Sequence, residues 1–367
     1  MKMKKMIALM MGLVCISAPL TEISVPSQMM ISASAGEYVF NTNCSYIYDA
    51  LSTDQKEVYN QLLESCRQVD ESSESYEKIP AITTNKLEAS EIIYLSTVFI
   101  FDHPEFFWIS PNYEYKSMGR SVTYTMHLYP QYQDGQVRQE TKQQLISLEQ
   151  EYLNEMSAYS TDYEKAEYLM KKLKQDITFG YGDENIDQSI VSALLDKKTV
   201  CAGYTKLYEL LCNASGIDTI AEVSLNHAWN VVKLDGKWHY VDVTYGLFLY
   251  SDAELHEWDE ARGRYTTTID DQQVSFYMHE PYQAFYSFAL PDVSGEDTTV
   301  LIPGDADSDG AVDILDVITI NKAILGKETL TAEQLKAIDF NGNGKPDSED
   351  SLTIMKYIVG LISSLTA

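Results

Sequence analysis

The sequence predicts an α+β fold that ends in a small all-α module. Two observations predict the α+β part: a run with helical spacing follows Thr199 and places Cys201 in its first turn, and two strand-like runs, 225–234 and 237–245, flank the pair Asp235-Gly236. A third observation, a loop pattern that occurs twice between residues 305 and 350, predicts the helical module. We expect the helix that carries Cys201 to pack on an antiparallel sheet that contains the two strands.

Residues 1–35 have the composition of an export signal. Three lysines, at positions 2, 4 and 5, precede an apolar stretch from Met6 to Leu20, and Ala33-Ser34-Ala35 matches a cleavage pattern. The apolar stretch is short for a membrane span, and an uncleaved anchor is the alternative. We therefore expect a secreted, extracellular protein that does not contact a membrane once the signal is removed.

The charge of the chain excludes two classes of partner. The formal net charge is −28, from 55 acidic and 27 basic residues, and such a surface repels nucleic acid and anionic membranes. Four cysteines follow the signal, which is too few for a disulfide scaffold. Pairing of Cys44 with Cys66 stays open, and Cys212, inside an apolar helical pattern, is expected in the core.

Residues 37–145 are predicted to form an N-terminal accessory region of mixed structure. The region contains an apolar segment from Ile92 to Phe101, an aromatic run at 103–108 and an alternating strand pattern over 122–129. We expect it to pack on the catalytic core, with the aromatic side chains filling a core rather than forming a platform for a ligand.

Three helical patterns follow the accessory region. The first two cover residues 145–159 and 163–174, and Asp162 is the predicted cap of the second. The third follows Thr199, the predicted cap, and places Cys201 in the first turn of the helix. Because the N–H groups and the dipole at a helix N-terminus stabilise a thiolate, this position makes Cys201 a candidate nucleophile.

The predicted hairpin supplies a base and a carboxylate for this cysteine. Asp235-Gly236 suits a two-residue type I′ turn, which places Asp242 opposite Trp229. His227 then lies on the same face of the sheet and diagonal to Asp242, at a separation that long side chains bridge. If the helix N-terminus abuts this face, Cys201, His227 and Asp242 form a nucleophile–base–orienter triad.

Three other histidines receive no catalytic role. His239 alternates onto the face opposite Asp242 and is expected to be structural or exposed. His256 and His279 lie in an irregular, aromatic-rich stretch, and both are expected at the surface.

Four segments resemble the transglutaminase-like core of papain-fold enzymes. They are Val-Cys-Ala-Gly-Tyr, Ala-Ser-Gly-Ile, His-Ala-Trp-Asn-Val-Val and Asp-Gly-Lys-Trp-His-Tyr-Val-Asp-Val-Thr, in that order. The resemblance runs from Tyr163 to Tyr245 and implies a papain-like catalytic domain, which we expect to span residues 146–290.

The resemblance also implies a role for each residue of the triad. Cys201 is the nucleophile, His227 is the general base and Asp242 orients the base. Many relatives continue the last segment with Trp-Asp, whereas Tyr245-Gly246 follows here, so the wall on the substrate side is expected to differ.

A linker at 291–303, rich in Pro, Ser, Gly, Asp and Thr, precedes the C-terminal module. A loop pattern then occurs at 305–316 and again at 339–350, with oxygen-bearing side chains at positions 1, 3, 5, 9 and 12 and glycine at position 6. This spacing is typical of an EF-hand-like Ca²⁺ loop, in which the carbonyl at position 7 is a further ligand. The predicted ligands are Asp305, Asp307, Asp309, Ala311, Asp313 and Asp316 in the first loop, and Asp339, Asn341, Asn343, Lys345, Asp347 and Asp350 in the second.

The two copies stay in register through the helix that follows each loop, and the pair resembles a dockerin over residues 304–365. The resemblance implies two Ca²⁺ ions, a cohesin module of a scaffoldin as partner, and association with a cellulosome or the cell surface. No cofactor is expected for catalysis. The face that meets a cohesin is expected to include Ile314, Leu315, Asn321 and Lys322, or their equivalents in the second copy.

These features together predict a secreted, cellulosome-associated cysteine enzyme that acts on a protein or peptide substrate. It would transfer the acyl group of a peptide or glutamine amide through a thioester at Cys201. Hydrolysis, as a cysteine peptidase or amidase, is favoured because water is the default acceptor, and a protein cross-linking transglutaminase stays open. A non-catalytic binding module of the same fold is the alternative from another class, whereas no paired-carboxylate motif supports action on polysaccharide.

Overall fold

The computed structural model describes residues 44–182, 186–269, 272–286, 288–293, 302–307, 312–362 and 364–365. The predicted signal peptide, Asp309 and Ala311 lie outside these residues. Helices and antiparallel sheets together build the described chain, which confirms the α+β class.

The N-terminal part combines three helices with a three-stranded antiparallel sheet. The elements are α1 (Tyr46–Ala50), α2 (Thr53–Asp70) and α3 (Ala89–Asp102), with β1 (Ile82–Thr84), β2 (Ile109–Met118) and β3 (Ser121–Leu128) in the order β1-β3-β2. Ser52 starts α2 with a capping box, in which its hydroxyl accepts from the Gln55 amide and the Gln55 side chain accepts from its own N–H. Residues of β3 alternate between buried and half-buried, so one face of this sheet packs on the core.

The aromatic run fills the core, as predicted. Phe106, Phe107 and Trp108 are buried in the same hydrophobic cluster as Leu207 and Tyr208. One contiguous core therefore joins the N-terminal part to the helix that carries Cys201.

Two long helices follow, α4 (Gly135–Met156) and α5 (Asp162–Asp176). The N-cap of α5 is Thr161, so the prediction of Asp162 as the cap was wrong. The Thr161 hydroxyl accepts from the Glu164 amide, and the Glu164 carboxylate accepts from the Thr161 N–H. This capping box satisfies two N–H groups at once, which a single aspartate side chain in the first turn does not do.

The segment that carries Cys201 lies between a parallel strand pair and a four-stranded antiparallel sheet. The elements in chain order are β4 (Thr178–Phe179), α6 (Ile190–Leu194), β5 (Lys198–Thr199), α7 (Cys201–Ala214), β6 (Thr219–Val223), β7 (Ala228–Leu234), β8 (Lys237–Asp242) and β9 (Leu247–Tyr250). The sheet has the order β6-β7-β8-β9, and α7 packs on β6 and β7. This is the predicted arrangement of a cysteine-bearing helix on an antiparallel sheet.

The predicted hairpin register is confirmed. Leu234 pairs with Lys237, and Asp235 and Gly236 have φ values of 50° and 79°, as a type I′ turn requires. Both strands are shorter than predicted: β7 begins at Ala228 and β8 ends at Asp242. The reason is a tight turn before β7, closed by a 2.9 Å hydrogen bond from the Ser224 N–H to the His227 carbonyl.

The stretch after β9, expected to be irregular, contains regular elements. They are α8 (Asp252–Glu260), the hairpin of β10 (Tyr265–Ile269) and β11 (Gln272–Phe276), and a short 3-10 turn at Gln283–Phe285. A capping box at Ser251 starts α8, with the Glu254 side chain as its reciprocal partner.

The cysteines of the described chain are free thiols. Cys44 and Cys66 do not pair, and Cys212 is fully buried in the core, as expected. Within the described residues, none of the helices combines the length and the hydropathy that crossing a membrane requires.

The C-terminal module has three helices, α9 (Ile314–Ile324), α10 (Ala332–Ile338) and α11 (Ser348–Ile358), which confirms the all-α prediction. It has a small hydrophobic core of its own, built by Ala306, Val317, Ile320, Ala337, Ile338 and Ile354. The first loop leads into α9 and the second into α11. Asp313 caps α9 and Asp347 caps α11.

Candidate active site

Cys201 is the first residue of α7, at the end of the helix that faces the sheet hairpin. The N-cap is Val200, whose side chain makes no capping hydrogen bond, so the prediction of Thr199 as the cap was wrong. Thr199 is instead fully buried, and its hydroxyl donates 2.6 Å to the Asp187 carbonyl. It anchors the backbone just before the nucleophile, while the first N–H groups of α7 stay available for an anion.

His227 lies in the turn before β7, held by a 3.1 Å hydrogen bond from its N–H to the Ser224 hydroxyl. Its Nε2 lies 2.7 Å from Oδ2 of Asp242, at the end of β8. The Cys201 thiol is a further hydrogen-bond partner of the His227 ring. Because Nε2 is engaged with Asp242, Nδ1 is the nitrogen left for the thiol.

The three predicted residues are therefore brought together in one cluster. The His227 and Asp242 side chains are buried, whereas Cys201 is partly exposed and open to a substrate. A thiol, an imidazole and a carboxylate in contact are the groups from which a nucleophile, a base and an orienting carboxylate can be built.

The charges in this cluster are strongly coupled. Burial lowers the pKa of His227, but the Asp242 carboxylate and Cys201 outweigh it and raise the pKa to about 10. Burial also raises the pKa of Asp242, but His227 and His279 outweigh this and hold it well below its usual range. At neutral pH the pair is therefore an imidazolium beside a carboxylate.

His279 belongs to the same cluster, and its expected surface position was wrong. Its side chain is buried, its Nε2 lies 3.0 Å from Oδ2 of Asp242, and its Nδ1 lies 2.9 Å from Oδ1 of Asp259 on α8. No spacing pattern connects residues 242, 259 and 279, so sequence reasoning had no signal for them. Packing of α8 against β9, together with the hydrogen bonds of His279 to Asp242 and Asp259, brings them together.

The other two histidines stay outside the cluster. His239 is buried, and neither ring nitrogen has a hydrogen-bond partner in the described part of the chain, which fits a structural role. His256 is exposed and pairs with Glu260, as a surface residue does.

Aromatic rings surround His227. The Tyr245 ring lies 5.5 Å from the His227 ring and 4.9 Å from Trp258, and it is 42% exposed. The Arg262 guanidinium lies 3.3 Å above the Trp258 ring. The position at which the sequence departs from its relatives thus forms an exposed aromatic wall next to the base.

A second exposed aromatic pair flanks the strand that leads into Cys201. Phe179 and Tyr181 are 51% and 65% exposed, and β4 runs parallel to β5, which leads into Cys201. The Gly180 N–H donates 2.9 Å to the Thr199 carbonyl, so this segment lies directly beside the nucleophile strand.

The first C-terminal loop has the donor set that a Ca²⁺ ion needs. Carboxylate oxygens of Asp305, Asp307 and Asp316 lie within 4.8 Å of one another. Oδ1 of Asp307 is buried and has no hydrogen-bond partner among the described residues, as expected of an oxygen reserved for a cation. The residues present therefore fit the ion.

The second loop repeats the same backbone arrangement. Oδ1 of Asp350 accepts from the Phe340 N–H at 3.1 Å and its Oδ2 from the Asp347 N–H at 2.9 Å. In the first loop, Asp316 accepts from the Ala306 and Asp313 N–H groups, both at 2.7 Å. The last aspartate of each loop thus makes the same backbone contacts in the described parts of both loops.

Comparisons with known proteins agree with this architecture. Residues 150–243 match the model of the transglutaminase-like superfamily, and residues 303–359 match that of the dockerin type I domain. Among curated proteins, the kyphoscoliosis peptidase of Mus musculus is 33% identical and that of Homo sapiens 36%, each over 14% of this chain and 10% of the relative. The chain thus spans about a tenth of the length of these curated relatives.

Among solved structures, one described as the crystal structure of a TGase has 16% identity and a TM-score of 0.28, and the match covers 40% of this chain and 48% of that chain. All three members of the Cys–His–Asp cluster lie within the matched range 150–243. The chain therefore carries a transglutaminase-like core that contains Cys201, His227 and Asp242, and a C-terminal dockerin domain of type I.

Proposed function

We propose that this protein is an exported cysteine enzyme that transfers acyl groups from peptide or glutamine amides and is docked through its dockerin to a cohesin. The observation that carries the proposal is the 2.7 Å contact of His227 Nε2 with Asp242, with Cys201 as a further hydrogen-bond partner of the ring. A nucleophile, a proton carrier and an orienting carboxylate are the groups that acyl transfer through a thioester requires.

The first half of the reaction forms the thioester. The Cys201 thiolate attacks the carbonyl carbon of the amide, and the N–H groups at the start of α7 stabilise the oxyanion. His227, which is protonated at neutral pH, donates its proton to the leaving amine as the C–N bond breaks. Asp242 keeps the ring oriented throughout this transfer.

The second half releases the acyl group. Water, or a primary amine, attacks the thioester carbonyl while His227 accepts its proton, and the C–S bond breaks to restore the thiolate. We favour water as the acceptor, which makes the enzyme a peptidase or amidase. A primary amine as acceptor would make it a transglutaminase.

The cost of burial argues for an enzyme over a non-catalytic module. The His227 and Asp242 side chains are 5% and 3% exposed, and isolated buried charges destabilise a fold by several kcal/mol each. A binding module has no use for this arrangement beside a partly exposed thiol, whereas acyl transfer depends on it.

The dockerin sets where the enzyme acts. Type I dockerins generally bind calcium, and Asp305, Asp307 and Asp316 would hold one ion and the second loop another. Each ion would tie the two ends of its loop together and so fix the helix that follows. Ile314 and Leu315 are 52% and 49% exposed, which supports the proposal that this face of α9 meets a cohesin.

We further propose the expected domain boundaries, with a catalytic domain at 146–290, a linker at 291–303 and a dockerin at 304–365. A transglutaminase-like region together with a dockerin is the composition of a cellulosome-type enzyme or module. Export and extracellular location follow from this assignment and from the predicted signal at residues 1–35.

The test is mass spectrometry of casein incubated with the protein and Ca²⁺, with and without a primary amine, next to the Cys201→Ala variant. New peptide ends or deamidated glutamines indicate hydrolysis, and amine adducts indicate transfer. Cys212→Ala is the matched control, because Cys212 is a core thiol remote from the cluster. Equal product formation by wild type and Cys201→Ala would refute the proposal.

A further inference from the structure

We infer that His279 and Asp259 are positioning residues that hold Asp242 in place for His227, which extends the triad by two members. The inference rests on the proposed function, because it assigns a role within the same reaction. Both residues lie outside the matched range 150–243, so nothing in the family match points to them.

Each carboxylate oxygen of Asp242 accepts two hydrogen bonds. Its Oδ2 accepts from Nε2 of His227 at 2.7 Å and from Nε2 of His279 at 3.0 Å. Its Oδ1 accepts from the backbone N–H groups of Thr244, at 2.7 Å, and Tyr245, at 3.3 Å. Four donors from three directions leave the carboxylate one orientation.

The contacts with Asp242 fix which ring nitrogen of His227 and of His279 carries a proton. A deprotonated carboxylate only accepts hydrogen bonds, so both Nε2 atoms must carry a proton. For His227 this directs Nδ1, the catalytic nitrogen, to the Cys201 thiol. For His279 it directs Nδ1 to Oδ1 of Asp259, 2.9 Å away, and a proton must lie between these two acceptors.

Asp259 holds His279 in place through two contacts, one with its backbone N–H and one with its ring. Oδ2 of Asp259 accepts from the His279 backbone N–H at 3.0 Å, while Oδ1 faces the ring. Asp259 is itself buried on α8. The ring therefore has no freedom to rotate away from Asp242.

The His279 side chain also keeps water away from Asp242. A cavity of about 350 Å³ is lined by His279 and Asp259 together with His256, Tyr277 and other residues, but not by Asp242. The His279 side chain, 1% exposed, thus separates this cavity from the catalytic carboxylate. Hydrogen bonds to Asp242 are stronger because water is kept away from them.

The experiment compares three substitutions in the full-length protein with Ca²⁺ present. His279→Leu removes the ring contacts with Asp242 and Asp259. Asp259→Leu removes the contacts that hold the His279 backbone and ring in place. Asp259→Asn is the conservative variant: its amide oxygen accepts from the His279 N–H and its NH₂ group donates to Nδ1, which keeps the proton on Nε2. His256→Leu, on the exposed side of α8, is the matched control.

Two readouts are measured well below each variant's melting temperature: the rate of Cys201 labelling by iodoacetamide, counted by mass spectrometry, and steady-state kinetics on casein. We expect His279→Leu and Asp259→Leu to slow labelling and to lower kcat about 100-fold at nearly constant KM, because a small misplacement of a reacting group has that effect. Asp259→Asn should restore most of both rates, and His256→Leu should match the wild type.

The outcomes separate the two proposals. Wild-type Cys201 that is labelled no faster than in a His227→Ala variant refutes the proposed function itself. A reactive Cys201 whose labelling and kcat are the same in His279→Leu and the wild type overturns only the positioning role. If His279→Leu does not fold, the comparison of Asp259→Asn with Asp259→Leu decides, and equal rates for these two overturn the inference.

Discussion

The substitution Gly203→Ala, one turn into the nucleophile helix, tests how tightly the segment around Cys201 is packed. A Cβ atom at residue 203 would lie 1.9 Å from Oγ1 of Thr199 and 3.1 Å from the Ser189 carbonyl oxygen. These distances are far below van der Waals contact, so the Thr199 hydroxyl must rotate away. That hydroxyl donates to the Asp187 carbonyl at 2.6 Å and lies 2.8 Å from Oγ of Ser192.

The size of the effect follows from what the rotation breaks. The Asp187 carbonyl keeps a hydrogen bond from the Val200 N–H, and Ser192 keeps one to the Ser189 carbonyl, so only the Thr199 hydroxyl loses its partners. A buried unsatisfied hydroxyl costs about 1–3 kcal/mol and overpacking about 1–3 kcal/mol. Alanine returns about 1 kcal/mol through helix propensity, which leaves a net destabilisation on the order of 1–5 kcal/mol.

The assay is urea denaturation followed by tryptophan fluorescence. All four tryptophans lie between residues 108 and 258, so the signal reports the N-terminal region and the transglutaminase-like core and not the dockerin. The control is Thr199→Ala, which removes the clashing oxygen: Gly203→Ala should destabilise that background less than it destabilises the wild type, because only the contacts with the Cβ of residue 199, at 3.0 Å, and with the Ser189 carbonyl oxygen, at 3.1 Å, remain. If Gly203→Ala alone is as stable as the wild type, the close packing argued above is wrong.

Three further predictions concern the catalytic carboxylate, a buried glutamate and the calcium loops. Asp242→Asn should lower kcat on casein by about 10⁴-fold, since an amide that donates to Nε2 of His227 imposes the wrong tautomer. Glu149 on α4 has a pKa raised from 4.5 to about 9, by burial and then by Glu105. Its contribution to the free energy of unfolding is therefore present below pH 4.5 and lost as the pH rises through 9, and Glu149→Gln should gain stability relative to the wild type over that interval in urea denaturation. Asp316→Ala should reduce the calcium stoichiometry measured by calorimetry from two ions to one.

Each of these predictions has a control. For Asp242→Asn, an unchanged kcat would contradict the orienting role, and KM is expected to stay constant. For Glu149, the difference from the glutamine variant should not depend on pH if the carboxyl ionises normally, so a flat profile would contradict the raised pKa. For the calcium loops, Asp350→Ala is the matched variant in the second copy, and two ions bound to either variant would exclude these ligands.

The features that could be predicted from sequence depend on residues close together in the chain. The hairpin register followed from Asp235-Gly236, because only residues that tolerate positive φ form that turn and the pairing is then fixed by the pleat. The repeat of the two C-terminal loops followed from oxygen-bearing residues at fixed spacing.

Helix starts were less accurate, for a local reason. The N-cap of α5 is Thr161, whereas Asp162 was predicted. The N-cap of α7 is Val200, whereas Thr199 was predicted. Neighbouring residues compete for a cap, and the winner depends on which backbone geometry the preceding segment imposes. The Thr199 hydroxyl donates instead to the buried carbonyl of Asp187, twelve residues earlier, so it does not cap the helix.

By itself the sequence determined that a thiol lies in the first turn of a helix, that an imidazole and a carboxylate meet on a hairpin, and that two oxygen-rich loops repeat in the C-terminal module. Each depends on periodicity or on a turn, which short stretches of chain specify. Only the tertiary structure decided that His279 and Asp259 complete the surroundings of Asp242, and that Tyr245 and Trp258 wall the cleft. These contacts join segments separated by many residues, and burial of the aromatic stretch after β9 brings them together.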